Sequence, residues 1–230
     1  MFSVHSCDLS AINYQDKFFS ENPYYQARRK QCLLVGVDCI EPCENGFCPT
    51  VDAGLGVRPH TADLILHPLP HQQWLVIEKT EKGVQSLRGL TLETTYEHHL
   101  TQRDQALHRC EQQFPDNSYI THGIEKINSR EISDSFWERL AIQCVSCSGC
   151  TTLCPTCSCY GTRSIETEPE SGRKNNMQQR FWQHKFGDNF YAEFEHYGCV
   201  GCGRCEQTCP GVIGVHSVMK RIEDDVESYS

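Results

Sequence analysis

No long hydrophobic run occurs in this chain. The longest clean stretches are Leu33–Val37 and Trp74–Ile77, far short of the ~18 apolar residues of a membrane span, so no span is expected. Apolar residues make up only 38% of the 230, which is low for a globular chain. A chain of this length can still bury a core, so disorder throughout is not expected. Positive charge is also short: 21 Lys and Arg against 30 Asp and Glu leave a net charge of −9. A nucleic-acid binder needs a basic surface to displace counterions, so that class of partner is excluded. The opening MFSVHSCDLSAINYQD has no basic n-region and no apolar h-region, and no twin-arginine leader is visible; the expected location is the cytoplasm. The GLGV stretch at Gly54–Gly56 has no third glycine and no clear preceding strand, so it makes no dinucleotide fingerprint.

What the chain has in excess is cysteine, sixteen residues. In a secreted chain they would read as a disulfide scaffold. In a reducing cytoplasm, clustered cysteines mean metal or redox chemistry.

Along the chain, Asp8–Phe19 is loosely helical and Asn22-Pro23 breaks it. Tyr24–Lys30 suggests a short helix. Cys32–Val37, Ala62–Leu66 and Trp74–Glu78 read as strands, and Thr80–Gly83 as a turn. Between the first two strands, a loop from Asp38 to Pro59 is rich in Gly, Pro and Cys. Leu92–Phe114 is helical by pattern, with Leu92, Tyr96, Leu100, Leu107 and Phe114 as its apolar positions. Asp134–Ile142 is a helix with Ser133 as N-cap. Thr167–Asn176 reads as loop, Met177–Phe194 as an aromatic-rich, partly helical segment, and Ile222–Ser230 as a frayed acidic tail. His98-His99 are expected at the surface, because neighbours on a helix face different directions.

The last third holds an internal repeat. Cys144, Cys147, Cys150 and Cys154 precede Pro155; Cys199, Cys202, Cys205 and Cys209 precede Pro210. Both read C-x2-C-x2-C-x3-C-P, the bacterial run for [4Fe–4S] clusters. Three cysteines at intervals of three wrap one cubane, and the fourth ligates the cluster of the other run. One cluster is thus assigned Cys144, Cys147, Cys150 and Cys209, the other Cys199, Cys202, Cys205 and Cys154. Structural zinc asks for two cysteine pairs and leaves the third and fourth cysteine of each run unexplained. No nucleophile with a base stands nearby, so no catalytic residue is assigned. Gly149, Gly201 and Gly203 allow backbone amides to approach cluster sulfurs.

The stretches QCVSCSGCTTLCPTCSCY, HKF at His184–Phe186 and YGCVGCGRCEQTCP resemble one iron–sulfur subunit shared by two systems. It is the beta subunit of soluble [NiFe] sulfhydrogenases and the corresponding iron–sulfur subunit of anaerobic sulfite reductase. VHSCDLSAI at Val4–Ile12, NPYYQARR at Asn22–Arg29, VGVDCIEP at Val35–Pro42 and LVIEKTEKG at Leu75–Gly83 agree with the same family. Three features depart from it. The chain begins almost at the CDL motif, as a short form, a processed form or one completed by a neighbouring chain would. The segment between the two cysteine runs is short. The family loop reads C-x-x-P-x-x-x-C-F-C, whereas here Gly46 precedes Phe47 and Cys43 stands three residues earlier. The resemblance and the loop make Cys7, Cys39, Cys43 and Cys48 candidates for a third [4Fe–4S] cluster, with Asp8 or Asp38 able to replace one sulfur; a zinc site or plain buried thiols are the other readings. Cys157 and Cys159 are expected to pack near a cluster, Cys32 and Cys110 to be core thiols, and His184-Lys185 to dock a partner or sit near a cluster.

The expected fold is α+β: an N-terminal α/β region over 1–130, a bacterial-type dicluster ferredoxin-like domain over 131–222, and an acidic tail over 223–230. The resemblance implies a cytoplasmic electron-transfer subunit. It would work between a catalytic subunit, [NiFe] hydrogenase or sulfite reductase, and a flavin/NAD(P)-binding reductase subunit. A free ferredoxin-like carrier and a zinc-stabilised interaction module are the alternatives.

Overall fold

The structure is a computed structural model. It describes residues 1–158 and 171–227, with the backbone alone for 171–176 and 225–227. The chain divides into two compact units, Met1–Pro115 with Val200–Cys202, and Asp116–Cys199 with Gly203–Ser230.

The first unit is built from β1 (Val4–His5), α1 (Ser6–Phe18), α2 (Pro23–Gln31), β2 (Val35–Val37), β3 (Leu64–Leu69), β4 (Gln73–Glu78), α3 (Glu81–Ser86) and α4 (Glu97–Gln112). Its sheet runs β1-β2-β3-β4, parallel across the first two pairs and antiparallel across the last. Leu9 of α1 packs with Leu34, Val57, Ala62 and Ile65, and Val4, Ile12 and Ile77 close the edge of this core. Full burial of a side chain the size of Leu9, Leu34, Val57 or Ile65 contributes roughly 1.5–3 kcal/mol. Asn22 caps α2, its Oδ1 accepting from the amides of Tyr24 and Tyr25, and Pro23 fits the first helical position because its missing N–H would have no partner there.

Several local expectations change. Strand β3 extends to Leu69, through Pro68. It pairs with β2 only as far as Leu66, so Pro68 lies past that neighbour, where its missing N–H interrupts no ladder on that side. Thr80–Gly83 is not a free turn but the start of α3: the Thr80 hydroxyl accepts from the Gly83 amide. The middle helix is shorter than its pattern. Tyr96 takes the N-cap of α4, its amide donating to His99 Nδ1, and Leu92, Tyr96 and Leu100 are exposed. The rings of His98 and His99 lie 4.0 Å apart, because both sit in the opening turn.

The second unit is helical: α5 (Ser118–Ser129), α6 (Asp134–Gln143), α7 (Gly149–Thr152), α8 (Ser171–Phe186), α9 (Asp188–Phe194), α10 (Arg204–Thr208) and α11 (Val215–Glu227). Helix α5 packs on α11 and on α8, and α6 packs on α8. Their buried faces carry Ile120, Ile124 and Ile127, Phe136, Trp137 and Leu140, Trp182 and Phe186, and Val218, Met219 and Ile222. Ser133 caps α6 as expected, its Oγ accepting from the Phe136 amide. The tail expected to fray from Ile222 instead continues α11 to Glu227, because Val218, Met219 and Ile222 form one buried stripe. Residues 171–176, expected as loop, form the first turns of α8; positions 167–170 and Cys159 lie outside the described residues. Among the described residues no helix is long and apolar enough to cross a membrane.

Candidate functional site

The two cysteine runs share a backbone. In the first, Ser146 and Ser148 flank Cys147 with φ of 55° and 61°; in the second, Gly201 and Gly203 flank Cys202 with φ of 64° and 70°. Left-handed residues on both sides of the middle cysteine are rare for serine and cost of order 1–3 kcal/mol each. Their recurrence at matching positions extends the sequence repeat to the main chain. Left-handed residues interleaved in this way turn successive N–H groups toward one concave side, an anion-binding geometry. Each run then enters a short helix, α7 with Ser148 as N-cap and α10 with Gly203. A Cβ on Gly149 would lie 3.2 Å from Thr208 Cγ2, so the helical turns of the two runs approach closely.

Cys144, Cys147, Cys150 and Cys209 come together. The Cys150 thiol is pushed up, first by burial and then by the facing sulfurs of Cys144, Cys209 and Cys147. Thus the fourth cysteine of the second run lies with the first three of the first run. Cys147 is exposed and the other three are half-buried.

Around Cys154 the structure places a cation. Lys185, near the end of α8, is buried at 3% exposure. Its Nζ donates to Cys154 Sγ at 3.3 Å, Cys157 Sγ at 3.3 Å and Thr156 Oγ1 at 3.0 Å. The Thr156 hydroxyl in turn donates to the Gly198 carbonyl at 2.7 Å. Burial alone would lower the Lys185 ammonium, but the sulfurs of Cys154, Cys157 and Cys199 outweigh it and hold it above its ordinary value. The Cys154 thiol is drawn down, first by the hydrogen bond from Cys157 and then, against burial, by Lys185 and Thr156. The Cys157 thiol is raised by the same pairing and by burial. A thiol so lowered is a ready thiolate, the form that ligates metal. Cys154 and Cys199 therefore share one cation; Cys202 and Cys205 are half-buried.

The amino-terminal set also converges. Cys7 lies in the first turn of α1, whose start is tied to the cysteine loop: Ser6 Oγ donates to the carbonyls of Ala53 and Gly56. The Cys39 amide donates to Leu55 O, and the Ala53 amide to Cys48 O. The Cys48 thiol is raised, by burial first and then by Cys7, Cys39 and Cys43. The Cys39 thiol is pushed up to about 11, by burial first and then by Cys43 and Cys110. The stretch Val200–Cys202 belongs to this unit. Phe47 N donates to Gly201 O at 2.8 Å, and a Cβ on Gly201 would fall 2.5 Å from the Cys48 amide nitrogen. Only glycine fits that approach at positive φ.

Asp38 does not take the place of a sulfur. Its carboxylate is fully buried and committed to Arg103, His67 and the Val57 amide. Cys110 is fully buried in α4, as a core thiol would be. Its thiol is raised by burial first and then by Cys43 and Glu41, and Cys39 feels it in turn. The spacing to Cys110 is too long for any local motif, and no sequence signal marks it. Nor does a lysine in a polar helix announce its burial, although PTC at Pro155–Cys157 hinted at thiols beside the run.

The three sets offer sulfur donors, the donor type that iron–sulfur clusters take. Among the described residues, no group of three or more His, Cys, Asp or Glu is gathered as a single metal ion would require; a cubane spreads its ligands over four irons.

Two such runs, alike in spacing and in backbone, are the ligand pattern of paired [4Fe–4S] clusters. Residues 165–213 match the family model of the 4Fe-4S dicluster domain, a span that contains the second cysteine run and begins after the first. The chain carries [4Fe–4S] clusters. It is 27% identical to sulfhydrogenase 2 subunit beta of Pyrococcus furiosus, over 97% of this chain and 74% of that protein. A shorter stretch, 36% of this chain, is 26% identical to ketoisovalerate oxidoreductase subunit VorC of Methanothermobacter marburgensis and covers 81% of it. No solved structure matches. These likenesses bear out the resemblance to dicluster iron–sulfur subunits.

Proposed function

We propose that the chain is the iron–sulfur electron-transfer subunit of a hydrogenase-type complex in the cytoplasm. Two [4Fe–4S] clusters are held by Cys144, Cys147, Cys150 and Cys209, and by Cys199, Cys202, Cys205 and Cys154. A third is held by Cys7, Cys39, Cys43 and Cys48. The observation that carries this reading is the gathering of Cys209 with Cys144, Cys147 and Cys150, the exchange of fourth ligands expected of paired clusters. When bound, the clusters supply one-electron storage and transfer. The chain's own residues supply thiolate ligands, amides turned inward by the left-handed turns, and a buried ammonium. The convergence of Cys7, Cys39 and Cys43 on Cys48 supports the third site. The partners are a catalytic subunit of hydrogenase or sulfite reductase type and a flavin/NAD(P)-binding reductase subunit; the likeness to a sulfhydrogenase subunit beta favours the hydrogenase.

Iron, acid-labile sulfide and zinc per chain, counted on protein purified anaerobically, test the reading. About twelve irons with matching sulfide are expected, four for each cubane. About eight would remove the third site and leave the paired clusters. Zinc without sulfide would overturn the redox function. Quantitative isolation as a monomer from its native cell extract would point instead to a free carrier.

A further inference from the structure

Buried ammonium groups are costly unless a negative group or several hydrogen bonds satisfy them. Lys185 is buried, and its partners are unusual for a lysine: two cysteine sulfurs, a threonine hydroxyl and, at 5.9 Å, the face of Phe181. Neutral thiols are weak acceptors, so this arrangement makes physical sense when the sulfur it faces is a thiolate bound to iron. Thr156 fixes the ammonium in place. It is itself fully buried and spends its proton on Gly198 O, so its oxygen is left to accept from Lys185. Gly198 directly precedes Cys199, and a Cβ there would meet His184 O and the Lys185 Cα. The residue thus spans the chain on both sides of one ligand set, Cys154 on one run and the start of the other.

We propose that Lys185, held by Thr156, acts through the Cys154 sulfur to raise the reduction potential of the cluster bound by Cys154, Cys199, Cys202 and Cys205. This rests on the ligand assignment of the proposed function. The physical route is direct. Adding an electron makes a cluster more negative, and a fixed positive charge on a ligand sulfur stabilises the reduced form. Net charge and hydrogen bonds to sulfur are the recognised levers on these potentials. Because the ammonium is out of water, the effect is screened little by salt.

Potentiometric titration of the anaerobic protein, followed by low-temperature electron paramagnetic resonance, tests this. In Lys185→Met, with iron and sulfide unchanged, one midpoint is expected to fall by at least tenfold in the reduction equilibrium, about 59 mV for a one-electron couple, while the others stay. In Lys185→Arg, which keeps the charge, that midpoint is expected to remain near the wild-type value. The Met shift is expected to persist at high salt. Unmoved midpoints in a fully loaded Lys185→Met would overturn the proposal. Should the Met variant lose about four irons, Lys185→Gln, which keeps a donor to sulfur without the charge, decides: a full iron count with a lowered midpoint supports the proposal, and iron loss there too makes Lys185 an assembly residue and overturns it. Wild-type protein devoid of iron and sulfide would overturn the cluster assignment itself, a result separate from any of these.

Discussion

In protein carrying Cys209→Ala, iron is expected to fall by about four per chain, and the loss is expected in the cluster of the other cysteine run. Cys209 closes the second run in sequence, yet in space it stands with Cys144, Cys147 and Cys150. Double variants separate the two assignments, since groups that serve one site do not add. Cys147→Ala combined with Cys209→Ala should lose no more iron than either change alone. Cys202→Ala combined with Cys209→Ala should lose about eight. If the second pair loses only about four while the first loses about eight, each run closes on itself and the exchange of ligands is wrong. The experiment reads iron and sulfide, so it is independent of any partner or turnover assay.

The largest effect on folding is expected at Asp38. Its carboxylate has no exposed surface. Oδ2 accepts from Arg103 Nε at 2.7 Å and lies 3.1 Å from His67 Nδ1; Oδ1 accepts from the Val57 amide at 2.8 Å and from Arg103 Nη2 at 3.2 Å. An ionised carboxylate only accepts, so His67 must carry its proton on Nδ1 here. The group joins the end of β2, β3, α4 and the loop before β3. Asp38→Ala strands the guanidinium, the imidazole and one amide together, and removing one member of a buried pair costs about 3–5 kcal/mol. Asp38→Asn keeps an acceptor and should lose less. Burial pushes the Asp38 carboxyl up, but His67, Arg103 and the Val57 amide outweigh it and hold it below the usual range. A carboxylate lowered in the folded state binds its proton more readily when unfolded, so its stabilisation is fully present above the ordinary carboxylate pKa of about 3.9. It is lost as pH falls through the lower, folded value. Urea unfolding of wild type and Asp38→Ala across acid pH should therefore show a gap that is constant near neutrality and closes in acid. A gap below about 1 kcal/mol at neutrality, typical of an exposed ion pair, would show that the cluster of charges contributes little.

The parts legible in the sequence are those whose cause is local. Helix α6 was readable because Ser133 caps it and Phe136, Trp137 and Leu140 share a face. The break between α1 and α2 was readable from Asn22-Pro23. The cysteine runs were readable because three cysteines of each fall within seven consecutive residues. Helix α5 was missed: Asn117 makes no side-chain cap, and Gly123 stands within a stripe of Ile120, Ile124 and Ile127 that is buried because α11 and α8 pack on the helix. Strand β1 has two residues, too few for any alternation to show, and exists because β2 pairs with it. The same holds for the site. Cys110 and the Asp38 pairing depend on residues dozens of positions apart, and nothing in their immediate neighbours records the encounter; for Lys185 the sequence offers a place near a cluster but not its burial.

Among the described cysteines, Cys43 and Cys147 are exposed, and the rest are half-buried or buried. That difference sets an order of damage. Oxidation of a thiol follows its access to solvent and its thiolate character, so oxygen or peroxide meets Cys147 in the first cysteine run and Cys43 in the amino-terminal set before any deeper sulfur. Each of those cysteine sets has one weak seam facing water. After brief exposure to peroxide, mass spectrometry should find the sulfenic and sulfinic adducts of these two residues first; adducts appearing first on Cys48 or Cys110 would contradict that order. For a protein whose work is to hand on electrons, the place where oxygen can break in is also the place where repair must begin.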